Sequence, residues 1–131
     1  MTDRRQVLKA GLASSVLPVG ALASAARAAQ PLKIHRAVFD SRFAAGRAFA
    51  AEAQAKGWTT TAIQGDVTDV WYHHLHARWR KGPAAVAGVT AADSLWVLER
   101  LAWDAGLRVT SRTALPHEPL VAWLIAPRAL A

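Results

Sequence analysis

Hydrophobic and polar positions alternate between two periods along this chain. From Lys33 to Phe39 apolar and polar residues interleave with a period near two, which predicts a β-strand. From Ser41 to Lys56 an alanine-rich stretch repeats at helical spacing, with Asp40 or Ser41 placed to cap its first turn and Gly57 placed to end it. A second β-like run, Thr59 to Gln64, leads through Gly65-Asp66-Val67-Thr68 into a helix from about Asp69 to Arg80. Ala84 to Ala87, bounded by Pro83 and Gly88, predicts a short buried strand. Thr90 with Asp93 three residues on has the spacing of a capping box, opening a helix that reaches Asp104 and closes at Gly106. Leu107 to Thr113 and Leu120 to Ala126 predict two strands joined by the proline-bracketed turn Leu115-Pro116-His117-Glu118-Pro119.

The resulting order is βαβαβαββ. Strands that alternate with helices of this length imply right-handed crossovers and a sheet covered on both faces. The expected fold is a small three-layer α/β sandwich, mainly parallel, with an antiparallel C-terminal edge pair. An arrangement like half of a flavodoxin-type sheet is the expected strand order.

Residues 1–28 stand apart from this pattern. Arg4 and Arg5 are followed by Gln6, Val7, Leu8 and Lys9, then by an uncharged run from Ala10 to Ala26 that Pro18 and Gly20 interrupt, then by Ala26-Arg27-Ala28. The segment resembles a bacterial twin-arginine signal peptide, with cleavage expected after Ala28. The resemblance implies a periplasmic protein exported already folded, with the Tat export machinery and a signal peptidase as its first partners. It leaves one domain, residues 29–131. Passengers of this route commonly carry a cofactor inserted beforehand or travel with a partner that does, so a periplasmic protein partner is expected.

Removing that leader changes the reading of charge. The whole chain has 16 Lys and Arg against 9 Asp and Glu, a net +7. Arg4, Arg5, Lys9, Arg27 and Asp3 belong to the leader, so 12 basic and 8 acidic residues and a net +4 remain. That modest excess gives no expectation of nucleic-acid binding. Cysteine is absent, which excludes disulfides, thiolate metal sites, a cysteine nucleophile and thioether-linked haem. The sequence names no cofactor.

Candidate chemistry falls in three places. In open parallel sheets, ligands sit beyond the carboxyl ends of the strands, so Asp40, Ser41, Arg42, Asp66, Thr68 and Thr90 are a candidate set for a polar or anionic small molecule. The alternative is that they are only helix caps. On the second helix, Trp71, Leu75 and Trp79 form the expected buried stripe, while Asp69, His73 and His76 share a neighbouring face and are candidate metal ligands, with Arg80 nearby opposing a cation there. His74 points about 100° away from His73 on an ideal helix. The third helix is apolar around much of its girth, through Leu95, Trp96, Val97, Leu98, Leu101, Ala102 and Trp103. Its large side chains are expected in the core, or else against another chain.

Catalytic residue types are present in Asp66, His73, Ser41 and Ser94, but nucleophile-elbow spacing is missing. The leading expectation is an exported accessory or interaction protein rather than an enzyme, with a cofactor-bearing redox enzyme as its expected kind of partner. The alternative is a small-ligand binder.

Overall fold

A computed structural model describes residues 32–128; the leader, with Arg4, Arg5, Ala26 and Ala28, lies outside the described residues. The chain forms β1 (Ile34–Asp40), α1 (Ala44–Ala55) and β2 (Thr60–Ile63). A helical segment in three pieces follows, here called α2: an α turn at Thr68–Val70, a wider π-helical stretch at Trp71–Leu75 and an α stretch at His76–Lys81. Then come β3 (Ala85–Thr90), α3 (Ala92–Asp104), β4 (Leu107–Ala114) and β5 (Val121–Pro127). The sheet order is β2-β1-β3-β5-β4. Strands β1, β2 and β3 are parallel, β5 runs antiparallel to β3, and β4 runs antiparallel to β5. The fold is thus the expected three-layer α/β arrangement, with the three parallel strands in the 2-1-3 order of a flavodoxin-type half.

Side-chain size decides how each face is covered. Ala37, Ala85, Ala87 and Ala122 make a shallow face on which α1 lies close, burying Phe49 and Ala53. The approach is tight enough that a Cβ on Gly46 would collide with the Asp40 carbonyl. Val38, Val86, Trp123 and Ile125 make a deeper face, filled by Val70, Leu75 and Trp79 of α2 and Leu95, Leu98 and Ala102 of α3.

Strand β3 runs three residues past the expected Ala87, and Gly88 is not its terminus. Gly88 lies opposite Trp123 of β5, and any Cβ there would press into the indole ring. Glycine is therefore the floor on which Trp123 lies, fully buried, with its Nε1 donating to the Thr90 hydroxyl at 3.0 Å. Thr90 consequently belongs to the core and does not cap α3, which starts from Ala91 without a side-chain cap.

The caps expected for α1 are also reassigned. Its N-cap position is Phe43, and Asp40 and Ser41 lie upstream. The carboxylate of Glu118, from the turn between β4 and β5, accepts from the Ala45 backbone N–H at 3.1 Å. A distant acid thus meets the positive end of the helix.

The π-helical stretch changes which residues α2 buries. Val70 and Leu75, five apart, and then Trp79, four further on, are buried, whereas Trp71 is half-buried and rests on His76 and Trp79 at ring-centroid distances of 4.9 and 5.9 Å. A wide turn brings residues five apart onto one side, which an ideal α-helix does not do.

Candidate functional site

The carboxyl ends of β1, β2 and β3 share one edge of the sheet, but the six residues expected to meet a ligand there mostly satisfy one another. Asp40 is fully buried and accepts from the Arg42 backbone N–H, from its Nε at 3.0 Å and from its Nη2 at 2.7 Å. The side-chain bonds from Arg42, more than offsetting the burial, hold the Asp40 carboxyl below the usual carboxylate range. Ser41 donates to the Ile63 carbonyl through both its backbone N–H and its hydroxyl. Asp66 accepts from the N–H and hydroxyl of Thr68 at 2.8 and 2.7 Å, a local turn at the start of α2. Ser94 donates to the Gly65 carbonyl at 2.7 Å and ties α3 to that loop. With Thr90 under Trp123 and Glu118 on α1, the edge is knitted shut by its own side chains.

Beside this edge, between β2 and α2, lies an open groove of about 590 Å³. Ser41, Thr61, Gln64, Asp66, Asp69, His73 and His74 line it. The structure thus brings Ser41 and Asp66 from the expected ligand set together with Asp69 and His73 from the expected metal set. It does not assemble the metal set. His76 stacks on Trp71, the His73 ring nitrogen donates to the Asp69 backbone carbonyl at 3.1 Å, and among the described residues no three His, Asp or Glu side chains stand where they could share a metal ion. His73 and His74, expected about 100° apart, both line the groove from the π-helical stretch.

A third surface is formed by α3 and the outer strand β4. Trp96 and Trp103 are 60% and 42% exposed, and Val97 between them is also exposed. Arg100 lies between the two indoles, its guanidinium carbon 5.8 Å from the Trp96 ring centroid and 4.4 Å from that of Trp103. Arg108, reaching over from β4, lies 5.7 Å from the Trp103 ring. The spacing of Trp96, Arg100 and Trp103 (i, i+4, i+7) puts all three on one helical face. The result is a continuous ladder of alternating indole and guanidinium planes. Arg112, further along β4, pairs with Glu99 at 3.2 Å. The helix buries Leu95, Leu98 and Ala102 inward, with Leu101 packed partly against the core, so the core expectation holds for these four and fails for Val97 and the two tryptophans. The tryptophan spacing was visible in the sequence; what it lacked was Arg100 and Arg108 as partners that let indole faces remain in water.

Comparison with protein-family models, with curated proteins and with solved structures gives no match.

Proposed function

We propose that this chain is an exported interaction module that docks onto an acidic surface of another periplasmic protein through the α3–β4 face. One observation carries the reading: Trp96, Arg100, Trp103 and Arg108 form an exposed aromatic–cationic ladder. Leaving two indoles half in water forgoes burial worth about 1.5–3 kcal/mol per large apolar side chain. Tryptophan and arginine are the residue types that most often dominate binding energy at protein interfaces. The chemistry of the partner follows from the charge. Of the basic groups on this face, Arg112 is paired with Glu99 and Arg108 gives one donor to the Leu107 carbonyl at 2.8 Å, while neither Arg100 nor Arg108, both lying on indoles, is in an ion pair among the described residues. Carboxylates of a partner would bond those donors while its apolar atoms cover the rings. Adjacent β4 has one side free of sheet partners, which gives the partner's backbone a place to pair. The twin-arginine leader supports the compartment.

The test is native mass spectrometry of the protein recovered from the periplasm at its natural expression level. A defined complex is expected for the wild-type chain and loss of that complex, at unchanged thermal midpoint, for the Trp96→Ala/Trp103→Ala double variant. An unpartnered wild-type monomer, or a complex that survives both substitutions, overturns the proposal.

A further inference from the structure

Arg36 stands where a two-faced strand asks for an apolar residue. It shares the α2-facing side of β1 with fully buried Val38. Its Nη1 donates to the Thr61 hydroxyl of β2 at 2.7 Å, while its Nε is buried and has no hydrogen-bond partner. No carboxylate lies within ion-pair distance: among the described residues the ion pairs are Arg42 with Asp40 and Arg112 with Glu99. Its neighbours share its sign. His74 of α2 is held below the ordinary histidine range by burial and then by the charges of Arg36, His73 and His35. His35 is lowered by burial, and further by Arg36 and Arg78, against one favourable bond from its Nε2 to the His74 carbonyl at 3.4 Å. Arg36, His35 and His74 thus lie together beside the β2–α2 groove, and among the described residues none of them forms an ion pair with the groove's carboxylates Asp66 and Asp69. A half-buried cation left unpaired costs stability and marks places kept for another purpose.

We propose that this groove binds a small phosphate-bearing molecule, its oxyanion held by Thr61 and His74 of the groove lining together with Arg36, which adjoins the groove through its bond to the Thr61 hydroxyl. The cavity volume suits a small metabolite. A divalent oxyanion supplies the charge that the cluster lacks, and its oxygens accept from the guanidinium and imidazoles together. Asp66 and Asp69, on the same groove, repel a bare anion and accept from hydroxyl or amino groups. The ligand class that satisfies both sets is a phosphate ester carrying hydroxyls or an amine. Both histidines of the groove come from the π-helical stretch.

Sulfate is the first probe, because its two charges are constant across the histidine range and any pH dependence then belongs to the protein. Calorimetric titration of the full-length chain with sulfate, at fixed ionic strength, should show saturable one-site binding that tightens about fivefold from pH 7.5 to pH 5.5 if the bound anion raises one histidine by about one pH unit. His35 and His74 ring signals should titrate at higher pH with sulfate present. Inorganic phosphate at pH 7.5 should compete with sulfate, and acetate should not. Arg36→Gln should weaken sulfate binding about 30-fold or more, the loss of a charge-assisted bond in a partly buried site. Its thermal midpoint in anion-free buffer should be no lower than that of the wild type, which an arginine serving structure alone would not permit. Should Arg36→Gln fail to fold, Thr61→Val and His74→Gln serve in its place, each expected to weaken sulfate about fivefold or more. Non-saturable binding, equal affinity at the two pH values, or undiminished binding in the folded variants overturns the proposal.

Discussion

Replacing Gly88 with alanine tests the packing of the sheet centre at a single atom. The new Cβ would sit 2.6 Å from Trp123 Cε2 and 2.7 Å from Cη2, with Cζ2 closer still. Carbon atoms in contact settle at about 3.5–4.0 Å, so the indole must retreat by about 1 Å. It is not free to do so, because Trp123 is fully buried and its Nε1 is fixed to Thr90. Overpacking of this kind costs about 1–3 kcal/mol, and a strained or broken buried bond to Thr90 adds about 1–3 kcal/mol. The expected loss is about 3–5 kcal/mol, a large share of the roughly 5–15 kcal/mol that holds a domain together. For a domain of this size the thermal midpoint should fall by on the order of 20 °C. Urea and thermal unfolding followed by circular dichroism give both quantities. Combining Gly88→Ala with Trp123→Phe, which shortens the ring, should cost less than the two single losses added, by about 1 kcal/mol or more. A Gly88→Ala loss below about 1 kcal/mol, or strict additivity in the double variant, would refute the reasoning.

Three further outcomes are expected. Arg42→Ala should destabilise the protein at neutral pH, since it strands the buried Asp40 carboxylate; because Arg42 depresses the folded-state pKa of Asp40, that stabilisation is full above the ordinary aspartate value near 3.9 and is lost as pH falls through the folded value, so urea midpoints of wild type and variant should converge in acid. Glu118→Ala should cost about 1 kcal/mol, as the loss of a helix cap does, and should speed amide exchange in the first turn of α1 although the substituted residue lies 73 positions away. Arg4→Lys/Arg5→Lys should retain the protein in the cytoplasm on cell fractionation, whereas the exported wild-type protein should begin at Ala29 on N-terminal sequencing.

Element type was legible wherever periodicity was uninterrupted, as for α1, β1 and the β4–β5 pair. Boundaries failed where one residue carried a second meaning. Gly88 reads locally as a breaker, and only the ring across the sheet shows that it is a packing floor. Thr90 with Asp93 has capping-box spacing, yet a buried indole needed the hydroxyl more. The α1 cap came from Glu118, and no local signal links positions 73 apart. The histidine faces were drawn on a 3.6-residue helix, and the π-helical turn redrew them by one residue's rotation. The position of β5 inside the sheet was readable in principle. Its VAWLIAP run is apolar on both faces, whereas LRVTSRTA in β4 alternates and carries two arginines, as an outer strand can. Arg36 was a signal the sequence carried and periodicity passed over: a charge on the Val38 side of β1, just past the irregularity at Ile34.

Because β5 lies between β3 and β4, the sheet is closed by the strand made last of the five. A ribosome-bound chain that has emerged only to Ala114 holds β4 with no neighbour and β3 with one side bare, so native pairing waits for Val121–Pro127. Trp123, the largest fully buried side chain, arrives in that same segment, and the hydrophobic interior stays open until then. Folding of this domain therefore waits for its last strand to be made.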